Sequence, residues 1–505
     1  MITNFILAPI LMHLFTAIML LFTMRYLRLQ RIISVTGNII AFVLCLRLFF
    51  VTLEHDYLIV QIGNWQAPFG IIFVSDTLSA IMVLLTAIVS LSVGIYSTAA
   101  INPSRIRFGY FMNFHFLIMG LLGVFLTGDI FNLYVWFEIV IISSFVLLTL
   151  GGKKMQMEGA IKYVSLNMLA SAVFLTAIGI LYGITGTLNM ADLAVKIGEV
   201  ENEGLVSVTA LLFFAGFGIK SAIFPMYFWL PSSYHTPPSA IAAVFGSLLT
   251  KMGVYALIRT FTLIFQPDEF IQWVFIIIAI LTLITGGLGT INKKSVRRLL
   301  SYLIVCHIGY LIACMGLYTE LAFVGMIFYL MHDVVVKSNL LMITGILQKI
   351  RNTIDMTRLG GFGKDYPKIS FLIAISMFSL VGIPPLSGFW PKIQFFGESL
   401  KSGHYVLLGA IIFASFVTLF VMLKTWSEVF WKDSPKRLTE DIDRFAPLRK
   451  ENKFALIAPI AFLAFVSLYL GLNAGQVYDL AHRTAEELMN PNHYIDAVLN
   501  GNFKK

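Results

Sequence analysis

The chain has 505 residues, 58% of them hydrophobic and 12% charged, with a mean hydropathy of +0.84. Soluble domains carry about a quarter charged residues, so this composition excludes an ordinary soluble fold and indicates a polytopic membrane protein. The formal net charge of +9 does not point to nucleic acid: the basic residues gather in short gaps between apolar runs, where they report orientation in a lipid membrane.

A crossing helix needs about 20 mostly apolar residues. Such runs occur near 4–24, 32–53, 75–99, 108–127, 129–150, 159–184, 205–230, 239–265, 271–291, 299–318, 320–347, 369–396, 405–430 and 454–472, which predicts an all-α bundle of about fourteen transmembrane helices. The runs do not alternate, which excludes a β-barrel. The first run lacks a basic leader and a small-residue cleavage site, and reads as a retained helix. Between the second and third runs, residues 56–75 place Gly63 and Asn64 between β-prone stretches, the pattern of a small external hairpin. The division between the fourth and fifth runs rests on Thr127, Gly128 and Asp129.

Charge in the gaps tests this count. With the amino terminus outside, the inside gaps hold Arg25, Arg28 and Arg31, then Arg105 and Arg107, then Lys153, Lys154 and Lys162. Lys293, Lys294, Arg297 and Arg298 come next, then Lys349 to Lys368, then the segment from Lys432 to Lys453. The outside gaps are acidic, with only Lys196 and Lys401 against them, and the inside gap near His235 has no Lys or Arg. Fourteen spans with both ends outside fit this alternation. The expected units are 1–104, with three helices and the hairpin; 105–267 and 268–431, of five helices each; and 432–505, with a cytoplasmic loop, the last span and an external tail.

Two spans carry helix breakers. The seventh has Gly216 and Gly218 before Lys220 and Pro225 after it; the twelfth has Pro384, Pro385, Gly388 and Pro391 before Lys392. Proline removes a backbone donor and clashes with the preceding turn, and lipid tolerates such a break only where protein or a watery cavity satisfies the freed groups. The breaks lie five spans apart, an odd offset that reverses direction, so spans four to eight and nine to thirteen are expected to form inverted repeats.

An ionisable group near the bilayer midplane is costly and marks function by default. The buried set is Glu138, Lys220, Lys251, Asp333, Lys337, Lys392 and Lys424, with His115, His307 and His332 as candidate relay members. Lys220 is the candidate partner of Glu138. Asp333 and Lys337 are four apart and can meet on one helix face, as a local pair or with Asp333 orienting a proton-carrying Lys337. Each histidine fits either a helix-to-helix hydrogen bond or a proton relay. Lys424 sits near the inside end of its span and reads as an entry-route residue. Lysine suits proton carriage because burial brings its proton affinity into the physiological range, whereas arginine stays charged. Cys45, Cys306 and Cys314 lie in apolar runs without metal spacing, and no CxxCH, Rossmann or Walker pattern occurs. No disulfide, metal or cofactor is expected.

Four segments in order, FPMYFWLPSSYHTPPSAIAAVFGSLLTKMGVYALIR, NKKSVRRLLSYLIVCHIGYL, MHDVVVKSNLL and LGGFGKDYPKISFLIAISMFSLVGIPPLSGFWPK, carry a resemblance over about residues 105–430. It is to the antiporter-like proton-translocating subunits shared by respiratory NADH dehydrogenase, membrane hydrogenases and Mrp-type cation/proton antiporters. Length and overall sequence are most similar to the D-type Mrp subunits. The resemblance implies fourteen helices with inverted five-helix repeats and a regulating Glu138–Lys220 pair. It further implies a hydrated axis through Lys251, His332 and Lys337, with Lys392 near a proton exit or entry. Lys392 stands where some respiratory relatives have glutamate, which favours the lysine-bearing members. Also implied are H+ and Na+ as transported ions and a hetero-oligomer with small Mrp subunits and a larger A-type one. A proton-pumping subunit of a redox complex and a non-conducting scaffold are the alternatives.

Overall fold

A computed structural model of the chain describes residues 3–433 and 450–500. Most of the basic segment expected between Lys432 and Lys453 therefore lies outside the described residues. Among the described residues twelve helices are long and apolar enough to cross a bilayer, and Tyr110–Leu126 and Pro367–Val381 are shorter apolar helices. In chain order the two short ones are spans four and twelve, which completes the expected fourteen. Span two begins earlier than its apolar run, at Leu27, and span six extends over Lys154–Thr185. Helical hydrogen bonding continues into the polar flanks there, where long basic side chains reach the interface. Between spans two and three, Leu58–Gln61 pairs antiparallel with Ile72–Ser75.

The odd spans three to eleven all begin on a capping side chain. Asp76, Asp129, Asn202, Asp268 and Thr319 accept hydrogen bonds from the backbone N–H of Ser79, Asn132, Leu205, Ile271 and Ala322. Spans two, four, six, eight, ten and twelve have no such cap. The two patterns share a cause: odd spans start at the end where the charge pattern excludes most Lys and Arg, and a short Asp, Asn or Thr side chain there satisfies orphan donors at a helix start.

The two halves carry the same backbone signature. Asp129 bridges Asn189, and Ser295 bridges Asp355. The flanking bonds, Ile130 N to Leu188 O and Val296 N to Ile354 O, are displaced by an identical length of chain. Both interrupted spans end their first segment in the same left-handed cap, Ala222 at φ 62° and Gly382 at φ 89°. The next amide, of Ile223 or Ile383, donates back to Gly218 O or Phe378 O. This six-to-one bond closes a helix whose next residues cannot continue it. After the breaks the chain resumes at Trp229–Ser233 and at Phe389–Lys401.

Burial separates the core helices from the lipid-facing ones. The most apolar stretch of span eight, Ser239–Leu263, is 100% buried and those of spans ten and eleven 94%, against 33% for span two. Charges within these buried stretches therefore meet other protein groups and not lipid. The stretch after span fourteen, expected as an external tail, folds into helices Ala474–Met489 and Asn492–Asn500. The first buries Val477, Ala481, Thr484, Ala485 and Leu488 on one face, against spans three, eight and eleven.

Candidate functional site

Asp333 is the hub of the buried polar groups. It lies on span eleven, and its Oδ2 is 2.5 Å from Lys251 Nζ of span eight. Its Oδ1 is 3.5 Å from Lys337 Nζ, one turn further along, and 3.6 Å from His307 Nδ1 of span ten. All four side chains are at most 1% exposed. The four-residue spacing of Asp333 and Lys337 does bring them together, but the tighter partner comes from another helix. His307 Nε2 lies 3.1 Å from Thr418 Oγ1, which ties the cluster to span thirteen.

The placement of Lys251 depends on a local irregularity. Residues Phe245–Leu249 form a turn of π-helix within span eight. The widened turn leaves carbonyls without their usual partners, and Lys251 Nζ reaches back to Gly246 O at 3.5 Å. Such turns insert one residue into the helical register and recur at functional sites.

At the first break, Lys220 is buried in the last turn of Glu203–Ser221, where the carbonyl end of a half-helix favours a cation. Its ammonium donates to Ser171 Oγ at 2.9 Å and sits 4.7 Å from the centre of the Phe137 ring. Glu138, next to Phe137, makes no ion pair with Lys220 among the described residues, and its buried Oε1 has no hydrogen-bond partner. At the second break, Lys392 Nζ donates to Val381 O at 2.6 Å and Leu380 O at 3.3 Å, capping the carbonyls of the segment before it. The lysines thus lie on opposite sides of equivalent breaks, Lys220 before and Lys392 after. Pro225 and the Pro384–Pro385 pair stand within the breaks themselves.

His332 Nδ1 bonds Ser387 Oγ at 2.8 Å, and Ser387 joins Ser379 and Ser467 in a triangle of hydroxyls. His332 therefore connects span eleven to the second break and to span fourteen. His115 stands apart on span four, its Nδ1 2.8 Å from His13 Nδ1 and its Nε2 2.9 Å from Ser34 Oγ. Lys424 is exposed near the end of span thirteen, away from the cluster. The three cysteines are buried and unpaired.

Sequence reasoning did not single out Arg259 and Asp76. Arg259 Nη1 is 2.6 Å from Asp76 Oδ2, and Nη2 is 2.8 Å from Asp76 Oδ1, a buried two-pronged pair. The available signal was the four-residue spacing of Lys251, Tyr255 and Arg259 along one helix.

Two interrupted helices, each with a buried lysine, beside a buried cluster of ionisable groups on spans eight, ten and eleven define a multi-pass membrane protein with a polar centre. The chain belongs to the NADH:quinone oxidoreductase/Mrp antiporter transmembrane family, whose model matches residues 127–418. It is 38% identical to the D-type subunit of the Na(+)/H(+) antiporter of Alkalihalophilus pseudofirmus, covering 98% of this chain and 99% of that protein. To the corresponding D-type Na(+)/H(+) antiporter protein of Bacillus subtilis it is 39% identical over the same shares. A chain of the Mrp complex from Dietzia sp. DQ12-45-1b superposes with a TM-score of 0.89 at 26% identity, covering 99% of each chain. A chain of an archaeal membrane-bound sulfane sulfur reductase superposes at 0.90 with 23% identity, covering 98% of this chain and 100% of that one, a likeness of fold alone.

Proposed function

We propose that the chain is the proton-translocating subunit of a multi-subunit cation/proton antiporter in a prokaryotic cell membrane, using the proton motive force to drive Na+ out. It works as a secondary transporter together with other Mrp-type subunits, including a larger A-type one. The path runs through Glu138, Lys220, Lys251, Lys337, His332 and Lys392.

The observation that carries this reading is the Asp333 hub. One buried carboxylate serves two lysines and faces a histidine. It cannot neutralise both ammonium groups at once, so a proton on one raises the cost of a proton on the other. Buried charges interact strongly across short distances. Proton occupancy is then coupled from site to site, and the membrane potential contributes about 2.3 kcal/mol per charge per 100 mV to its direction.

The test is transport by the assembled complex in vesicles, read as Na+-driven pH change. Lys220→Ala, Lys251→Ala and Lys392→Ala are each expected to reduce it to background while the subunits still co-purify. Intact complexes with unchanged transport in all three variants would mean that the charges only tie helices together. Co-purification with a flavin and iron–sulfur arm would instead place the chain in a redox-driven complex.

A further inference from the structure

Lys251, Tyr255 and Arg259 form a single stripe on span eight that climbs from the central cluster toward the outer face. Each step of four residues rises about 6 Å. Tyr255 Oη lies 3.1 Å from Ser79 Oγ and 3.3 Å from Arg259 Nη2, and donates to Phe125 O at 2.8 Å. Ser79 and Asp76 both belong to the start of span three, where Asp76 holds Arg259. The next residue, Thr77, donates from both its N–H and its hydroxyl to Glu487, at 3.2 and 2.6 Å.

Glu487 comes from the helix Ala474–Met489 and also lines a cavity of about 590 Å³ on the outer face. Asp56, Glu486, Asp496, His55 and His493 line it too. Burial, and then the nearby Asp76 carboxylate, push the Glu487 carboxyl up to about 7, against the opposing pull of Thr77 and Arg483. The charged groups facing it are Arg483 of its own helix, Asp76 of span three, Arg259 of span eight and Asp56 beyond span two. Tyr57 also lines the cavity, and the Tyr494 ring lies 5.4 Å from the Arg259 guanidinium.

We propose that this cavity is the mouth through which the subunit exchanges protons with the outside, with Glu487 as the exchanging group and Thr77, Asp76, Ser79 and Tyr255 linking it to Lys251. Arg259 keeps its own proton and acts as a positioning residue: its fork holds Asp76 beside Ser79 and Tyr255. The proposal rests on the proton-translocating reading above, and adds where its protons cross the outer boundary.

The experiment uses the assembled complex in vesicles with the outer face toward the bath, measuring Na+-coupled proton movement as bath pH is varied. Glu487→Gln is expected to slow transport about tenfold near pH 8, where protons are scarce and a collecting base matters, and much less near pH 6. Glu487→Asp should restore part of the loss. Tyr255→Phe, which keeps the packing, should slow transport at every pH. Unchanged rates and an unchanged pH profile in intact Glu487→Gln and Tyr255→Phe complexes would overturn the proposal. A wild-type complex that moves no protons would overturn the functional reading itself. Should Glu487→Gln fail to assemble, Tyr255→Phe decides alone, unchanged transport overturning the proposal and slowed transport supporting it.

Discussion

Asp333 illustrates how far a single side chain can be read. Its residue type and its spacing from Lys337 are plain in the chain, and so is its place in an apolar run. Its shortest contact, Lys251 at 2.5 Å, depends on how spans eight and eleven pack, which no spacing within one helix encodes. Glu138 and Lys220 differ, since the family resemblance couples them electrostatically while the direct contacts of Lys220 are a serine and an aromatic face. Removing one member of a buried ion pair leaves the other charge uncompensated, at a cost of about 3–5 kcal/mol. Asp333→Asn is therefore expected to lower the thermal midpoint of the purified complex sharply. Replacing Lys251 by Met in the same chain should recover part of that loss, because the stranded ammonium is gone. A thermal-melt double-mutant cycle reads the coupling, and strict additivity would show that the two side chains do not act as a pair.

The elements were legible wherever one physical preference dominated. Apolar length marked the spans, and proline with glycine marked both breaks, because neither Pro225 nor Pro384 and Pro385 can continue a helix. The π-turn at Phe245–Leu249 was not legible, since its sequence is an ordinary apolar helix and the widened turn arises from packing. Its role is testable. Deleting Ser247 removes the extra residue and closes the turn to regular helix while the two parts of span eight stay in register. Lys251 then loses the carbonyl that it reaches at Gly246. Transport is expected to vanish with the protein still inserted, as read by vesicle assay and membrane fractionation. Retained transport would show that the π-turn is incidental.

At the scale of the molecule, the alternation of basic gaps and that of capped helix starts coincide, so most of the architecture could be read from hydropathy and charge together. The outer cap could not. Ala474–Met489 is polar enough to read as a tail, and its packing depends on contacts made far away in sequence, such as Arg483 to Asp56 and to Leu53 O. Its docking carries a pH signature. Glu487 binds its proton more tightly when docked, at about 7 against an ordinary 4.5, so the docked state holds more protons between those values. Docking therefore weakens as pH rises through that window. Hydrogen exchange in residues 474–489, corrected for its intrinsic rate, is expected to be faster near pH 8 than near pH 5. Glu487→Gln should flatten the difference, and an unaltered difference would assign it to another group.

The two matched breaks, with their lysines on opposite sides, have a consequence for direction. Aligning the caps at Ala222 and Gly382 sets Lys220 against Leu380 and Lys392 against Ser232. The two halves thus share a hinge and differ in where its cation sits. A machine whose halves were identical would run equally well in mirror image; one displaced cation is enough to tell its two ends apart.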